Sequence, residues 1–278
     1  MATADLLVLV FNVTVYHVFS YHFAHSFLSY TAMCTLFNYL NSISLCMSVW
    51  FTVLFTFDRF VVICWEKFKV IYCRVRTAAV VITAATVLIC SENIPLFFAY
   101  GPERLIDHVP WGCRTKLSFF MSPAGEAYSW LHSVLVPWLP FALILLFNCL
   151  TVRRILVANR SRRAVRGYRS ESQSDPKMES RKKSIILLFA VSGSFILLWL
   201  TASVSFLSTR ITNTAHYRGD YAAPAYLATE TGYMLMYLSS FTNTCIYATT
   251  QAKFRGELKK VVKSPWNCIL LFVRRMGN

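Results

Sequence analysis

Stretches without a charged side chain divide the sequence into rods. Residues 6–57 contain no Asp, Glu, Lys or Arg. As one helix they would extend about 78 Å at 1.5 Å per residue, against a hydrocarbon core roughly 30 Å thick. The run is therefore read as two membrane-crossing helices joined by a turn. The turn falls where His17, His22 and His25 interrupt the apolar residues, a composition suited to the membrane interface. Further uncharged runs occupy 77–91, 127–152, 184–209 and 231–252, and the short one is prolonged over 92–100 with a single carboxylate, Glu92. Six spans are predicted, at 2–20, 31–64, 76–99, 128–154, 183–209 and 227–250. Each is predicted helical, because backbone amides in lipid have no water to bond. The fold class is all-α, a transmembrane helical bundle.

Composition agrees. The 278 residues are 56% hydrophobic and 15% charged, with mean hydropathy +0.47. A soluble domain is about 45–50% apolar and about 25% charged, so an ordinary soluble fold is excluded. The net charge of +15 would suit nucleic acid, but the basic residues lie between apolar runs, and the reading is no nucleic acid and a membrane instead. Of the 28 Lys and Arg, 23 fall in three places: 59–76, 153–183 and the tail from Lys253. By the positive-inside rule these segments are cytoplasmic, with the C-terminus. Their simplest use is to set topology and to meet lipid headgroups. Residues 155–183 hold no apolar face and read as a cytoplasmic loop flanked by helix extensions. Asp5 sits inside the first span, four residues after Met1, with no leader before it. The expectation is a truncated chain, or one begun at an internal Met; a genuine six-span protein is the alternative.

Cysteines and one charged tripeptide supply depth markers. Asp58-Arg59-Phe60 ends the second span, and Cys34 lies 24 residues before Asp58 at the opposite end. Cys113 lies in the 100–127 loop, on the oxidising side. A Cys34–Cys113 disulfide would tie that loop to the helix end, with a loop-closure contribution of at most about 4.5 kcal/mol. The remaining cysteines are read as thiols, with Cys268, beside basic residues, a candidate for palmitoylation.

In this order the markers resemble the rhodopsin-like G-protein-coupled receptors. Ala2-Thr3-Ala4-Asp5 looks like that family's second-helix motif. Cys34 and Asp58-Arg59-Phe60 are similar to its third helix, Cys113 to its loop cysteine and Pro140 to its fifth-helix proline. Phe195 and Trp199 resemble the sixth-helix aromatic pair, and Asn243-Thr244-Cys245-Ile246-Tyr247 the seventh-helix motif. Phe254-Arg255 resembles the start of an amphipathic interfacial helix. The resemblance covers 1–263 as a receptor domain and leaves 264–278 as a cytoplasmic tail. It implies six visible spans of a seven-helix receptor whose first helix is missing, in the plasma membrane.

It also implies roles. Asp58, Arg59, Trp199, Asn243 and Tyr247 would carry activation and coupling to a heterotrimeric G protein. An extracellular ligand would meet Asn38, Asn41, Ser42, Leu45, His132, Trp199, Phe206 and Tyr233, with Glu92 either lining that pocket or facing the interface. His132 and Trp199 serve helix packing equally well. Asn41 stands where amine receptors keep an Asp, which argues against a monoamine. Asp5, Ser48, Ser239 and Asn243 would hold a sodium ion, or else a water-filled network. No other cofactor is implied. Within the family, Trp130-Leu131-His132, Asn148, Leu198-Trp199 and Arg166-Gly167-Tyr168 resemble the 139/142 subgroup of G-protein-coupled receptors, which implies an aromatic amino acid or a peptide as ligand.

Departures from the family pattern are Thr201 and Thr244 at proline positions, Asn148 at a tyrosine position, Arg181 where an acid often faces Arg59, and Glu66 for a proline. Ala202 replaces an arginine of the subgroup. Other classes have thinner support. No His-Glu-x-x-His or Gly-x-Ser-x-Gly pattern of an enzyme occurs, and no matched broken helices of a transporter. A transporter and a non-signalling receptor fragment are the alternatives.

Overall fold

The computed structural model describes residues 2–19, 22, 26–65, 74–166, 176–211, 223–250, 255–256 and 259–260. Glu66, His25, Gly167, Tyr168, Phe254, Lys263, Cys268 and the tail 264–278 lie outside the described residues, as does the side chain of Arg181.

All six predicted spans are helical. The helices are α1 (Ala2–Val8), α2 (Thr31–Cys64), α3 (Val75–Glu92), α4 (Pro123–Ser133), α5 (Leu139–Arg166), α6 (Pro176–Ile211) and α7 (Pro224–Thr250). A π-helix, Leu9–Phe19, prolongs α1, and there the Thr14 hydroxyl donates to the Leu9 carbonyl five residues back. A π turn, Val134–Trp138, joins α4 to α5. Pro137 lies in that turn and Pro140 follows, so two amide donors are missing where an α-ladder would need them. The chain stays rod-like but is unwound beside His132.

Among the described residues, Thr31–Cys64, Val75–Ala99, Pro123–Ala158 and Ile185–Thr209 are long and apolar enough to cross a membrane. The first rod is shorter. α7 is 27 residues long but carries Thr231, Ser239, Ser240, Thr242 and Asn243, which lower its apolarity. Both faces of this distinction suit a bundle, since polar side chains avoid lipid by turning inward.

α2 is the central rod. It packs against α1, α3, α5, α6 and both π segments. Its buried residues Ile43, Cys46, Val49 and Val53 recur every three or four positions and so share a face. That face meets Ile89, Phe141, Ile144, Phe195, Trp199 and Met236 in one apolar core. α3, by contrast, exposes Val80, Ile82, Val87 and Leu88 and buries only Ile89. An inside-out pattern of this kind fits a peripheral helix with lipid as its solvent.

α6 and α7 pack most closely at two small residues. A Cβ placed on Gly232 would lie 2.7 Å from the Ala202 Cα, so only glycine permits this approach. Close backbones at small residues are a common way for membrane helices to associate.

The segment read as a 100–127 loop carries four short strands in its first part. β1 (Tyr100–Gly101) pairs antiparallel with β4 (Arg114–Thr115), and β2 (Arg104–Ile106) with β3 (Val109–Trp111). Asp107 and His108, at φ 50° and 63°, make the tight turn between β2 and β3, the left-handed pair that a two-residue hairpin requires. Period-2 patterning is hard to see in strands of two or three residues, which is why the sequence did not reveal them.

Candidate functional site

The strands sit over one end of α2. The Cys34–Cys113 disulfide joins them there, with Cα atoms 5.8 Å apart. The Thr31 hydroxyl donates to the Gly112 carbonyl at 2.7 Å, and the Gly112 amide to the Ser29 carbonyl at 2.7 Å. Tyr30 and Trp111 bring their rings to 4.6 Å. Asn38 donates to the Cys34 carbonyl at 2.9 Å and approaches the Cys113 sulfur at 3.1 Å. Asn38 therefore braces the disulfide, which is a different task from lining a pocket.

Below this end lies a polar group between α2, α3 and α4. His132 Nδ1 and Glu92 Oε1 are 2.9 Å apart. The Asn93 amide donates to Glu92 Oε2 at 2.8 Å, to the Ile89 carbonyl at 2.8 Å and toward the Cys46 sulfur at 3.7 Å. The Ser42 hydroxyl donates to Asn93 Oδ1 at 2.6 Å. Asn93 is fully buried, and one amide so used fixes three neighbours at once. Tyr128 stacks on His132 with ring centroids 5.7 Å apart, and its buried hydroxyl has no hydrogen-bond partner among the described residues. Ser122 starts α4 by accepting from the Gly125 amide at 3.1 Å, with Pro123 next, a cap that fixes the register of Tyr128 and His132.

Of the remaining pocket residues, Trp199 is buried against Phe195 at 5.2 Å, so it belongs to the core. Phe206 and Tyr233 meet edge to face at 5.5 Å, and Tyr233 stacks on Tyr237 at 6.4 Å. Leu45 packs on the same core. The Asn41 carbonyl accepts from Ser44 at 2.8 Å, while Asn41 Oδ1 has no partner among the described residues. Ala202 is buried and lies directly against Gly232 of α7.

A second polar group lies deeper, between α1, α2 and α7. Asp5 is 1% exposed and accepts from the Ser48 hydroxyl at 2.7 Å. The α7 serine within reach of Ser48 is Ser240, at 3.5 Å; its neighbour Ser239 is buried as well. Asn243 lies beside Asp5. Asp5 Oδ2 and Asn243 Oδ1 are buried acceptors without a partner among the described residues. Asn12, on the π extension of α1, donates to the Ser44 hydroxyl at 2.9 Å.

At the far end of α2, Arg59 pairs with its neighbour Asp58 at 2.8 Å and lies 5.3 Å from the centre of the Phe55 ring. Arg59 Nε is buried and unpartnered among the described residues. Tyr247 is buried with its ring 6.2 Å from Phe55, in a cluster with Leu187 and Val191 of α6. Asp58, Arg59 and Tyr247 thus share one end of the bundle, about 37 Å along α2 from the disulfide and so a full hydrocarbon thickness away.

Sequence reasoning brought together the disulfide, the Asp5 group and the Arg59 end. It overlooked Cys46, Asn93 and Tyr128 as partners of Glu92 and His132. The signal available was Glu92-Asn93, two adjacent polar residues in an otherwise apolar span.

No curated protein matches the chain. The profile of the 7 transmembrane receptor (rhodopsin family) matches residues 1–247, which embraces every helix from α1 to Tyr247 of α7 and both cysteines of the disulfide. The chain belongs to the rhodopsin family of seven-transmembrane receptors, multi-pass membrane proteins that signal through G proteins.

Proposed function

We propose that this receptor takes a small extracellular ligand carrying an aromatic ring and a polar or zwitterionic group, such as an aromatic amino acid or a short peptide, at the disulfide end. The observation that carries this reading is the His132–Glu92 pair, whose side chains are 30% and 18% exposed inside an otherwise apolar bundle. A partly open imidazole–carboxylate contact offers an acceptor to an ammonium and a donor to a carboxylate. Phe206 and Tyr233 supply an aromatic wall. Ser42 and Asn41 flank the polar floor, and Trp199 lies beneath as a packed sensor of α6 position.

The disulfide end is then extracellular and the Arg59 end cytoplasmic, in the plasma membrane, with the basic loops at the G protein. Coupling follows from population shift: the agonist and the G protein must both prefer the same helix arrangement. Arg59, Asp58 and Tyr247 are the inner contacts that exchange partners. Asp5, Ser48, Ser239 or Ser240 and Asn243 offer hard oxygen donors, and the two unpartnered acceptors Asp5 Oδ2 and Asn243 Oδ1 suit a sodium ion there.

The test is a second-messenger assay in cells displaying the chain, challenged with aromatic amino acids and short peptides. Arg59→Ala is expected to abolish signalling while ligand binding persists. His132→Ala is expected to lower potency about tenfold or more at equal surface expression, the cost of one lost charge-assisted bond. Signalling retained by Arg59→Ala refutes the coupling role, and unchanged potency in His132→Ala refutes the ligand role.

A further inference from the structure

We propose that Cys46, Glu92 and His132 form a binding site for a zinc-class divalent metal ion. Their ligand atoms, one sulfur, one carboxylate oxygen and one imidazole nitrogen, all lie within 4.8 Å of one another. They come from three separate helices, α2, α3 and α4, so the convergence is tertiary and owes nothing to sequence adjacency.

Donor chemistry selects the ion. Thiolate and imidazole favour zinc and its neighbours over sodium, magnesium or calcium, which prefer oxygen. Zinc bonds of about 2.0–2.3 Å in a tetrahedral arrangement put ligand atoms about 3.5 Å apart. The 2.9 Å between His132 Nδ1 and Glu92 Oε1 has to open by about half an ångström, and the sulfur, within 4.8 Å of both, has to close by at most about an ångström. Such shifts lie within side-chain rotation.

Charge also balances. A thiolate and a carboxylate cancel a divalent cation, and a neutral imidazole adds none. A neutral complex avoids the penalty that an unpaired charge meets in the bilayer interior. Metal binding displaces any proton that the ligand atoms carry.

The surroundings look built for this. Asn93, fully buried, orients Glu92 through Oε2 and reaches the Cys46 sulfur, the position of an outer-shell partner that holds ligands in place. The orphaned Tyr128 hydroxyl lies within electrostatic range of both Cys46 and Glu92. A fourth ligand or a metal-bound water would satisfy it. Cys46 is 2% exposed, so the ion arrives past the partly open His132 and Glu92. Three protein ligands leave one position open, as in zinc sites that also take a small molecule. The site shares His132 and Glu92 with the ligand reading but stands on donor geometry alone.

The test uses the full chain in lipid nanodiscs without agonist, so that its result is independent of ligand identity. Titration with Co²⁺ is expected to give one bound ion per chain and a sulfur-to-cobalt charge-transfer absorption, reversed by Zn²⁺. Cys46→Ser is expected to remove that absorption, while Cys149→Ser, on the exposed side of α5, keeps it. Glu92→Gln and His132→Ala are expected to weaken Zn²⁺ binding at least tenfold. Zn²⁺ should also raise the unfolding temperature of the parent chain and not that of His132→Ala, a readout that survives if Cys46→Ser fails to fold. Absence of the absorption in the parent, its survival in Cys46→Ser, or equal Zn²⁺ affinity in His132→Ala would overturn the site.

Discussion

Asp5 and Glu92 are both carboxylates enclosed by the bundle and close to α2, and they keep different company. Asp5 accepts from the Ser48 hydroxyl at 2.7 Å, with Ser240 beyond it and the Asn243 side chain beside it. Two acceptors in that group go unpartnered among the described residues. Glu92 has nitrogen and sulfur neighbours, and both its oxygens are occupied, by His132 at 2.9 Å and Asn93 at 2.8 Å. The first group has a surplus of acceptors, and the second has paired its carboxylate but holds a spare donor, the Tyr128 hydroxyl. Burial alone therefore does not say what a membrane carboxylate does. The hardness and the satisfaction of its neighbours do.

Substitutions can force the two groups apart. The largest expected effect is on ion sensitivity. If sodium occupies the Asp5 group, it should lower agonist affinity by a factor in the usual range of allosteric coupling, about 5–150-fold. Asp5→Ala should erase that dependence and leave Co²⁺ absorption at Cys46 intact. Agonist affinity that ignores sodium in the parent chain would remove the ion from the Asp5 group. Next is stability at the other group. Glu92→Ala strips both His132 and Asn93 of an acceptor and should cost about 1–3 kcal/mol, read as a lowered unfolding temperature in detergent. Glu92→Gln, which retains an acceptor oxygen, should cost less than half as much; equal losses would mean that charge, and not hydrogen bonding, holds the group. Smallest is Ser48→Ala, which removes one donor from Asp5 and should cost about 1 kcal/mol. A cost above that of Glu92→Ala would show that the Asp5 group, despite its spare acceptors, is the more tightly held.

Much of the bundle was legible because lipid imposes a strong rule. Charge-free runs gave all six rods, and the extensions of α5 to Arg166 and of α6 back to Pro176 agree with the polar flanks of the 155–183 segment. Cys34 and Cys113 were legible because few cysteines lie at a rod's end. The strands over α2 were not, since two- and three-residue strands leave no alternation to read. Nor was the company of Glu92. Cys46 stands between Leu45 and Met47 and reads as a small hydrophobe, and nothing local in Tyr128 announces that its hydroxyl ends without a partner among the described residues. Those facts belong to three helices meeting, which single-chain periodicity does not encode. Ser240 against Ser239 is a finer case. Adjacent positions on a helix differ by about 100° in direction, and sequence alone does not fix the rotation of α7.

Were α6 to turn about its contact at Ala202 with Gly232, the fulcrum would be off-centre. From Ala202 the helix runs 26 residues back to Pro176, about 39 Å, but only nine on to Ile211, about 14 Å. A nudge of a given size on the short arm swings the long arm nearly three times as far. If α6 pivots there, repacking near Phe206 is amplified beside Arg59, and bulkier residues at position 202 offer a graded way to test the pivot.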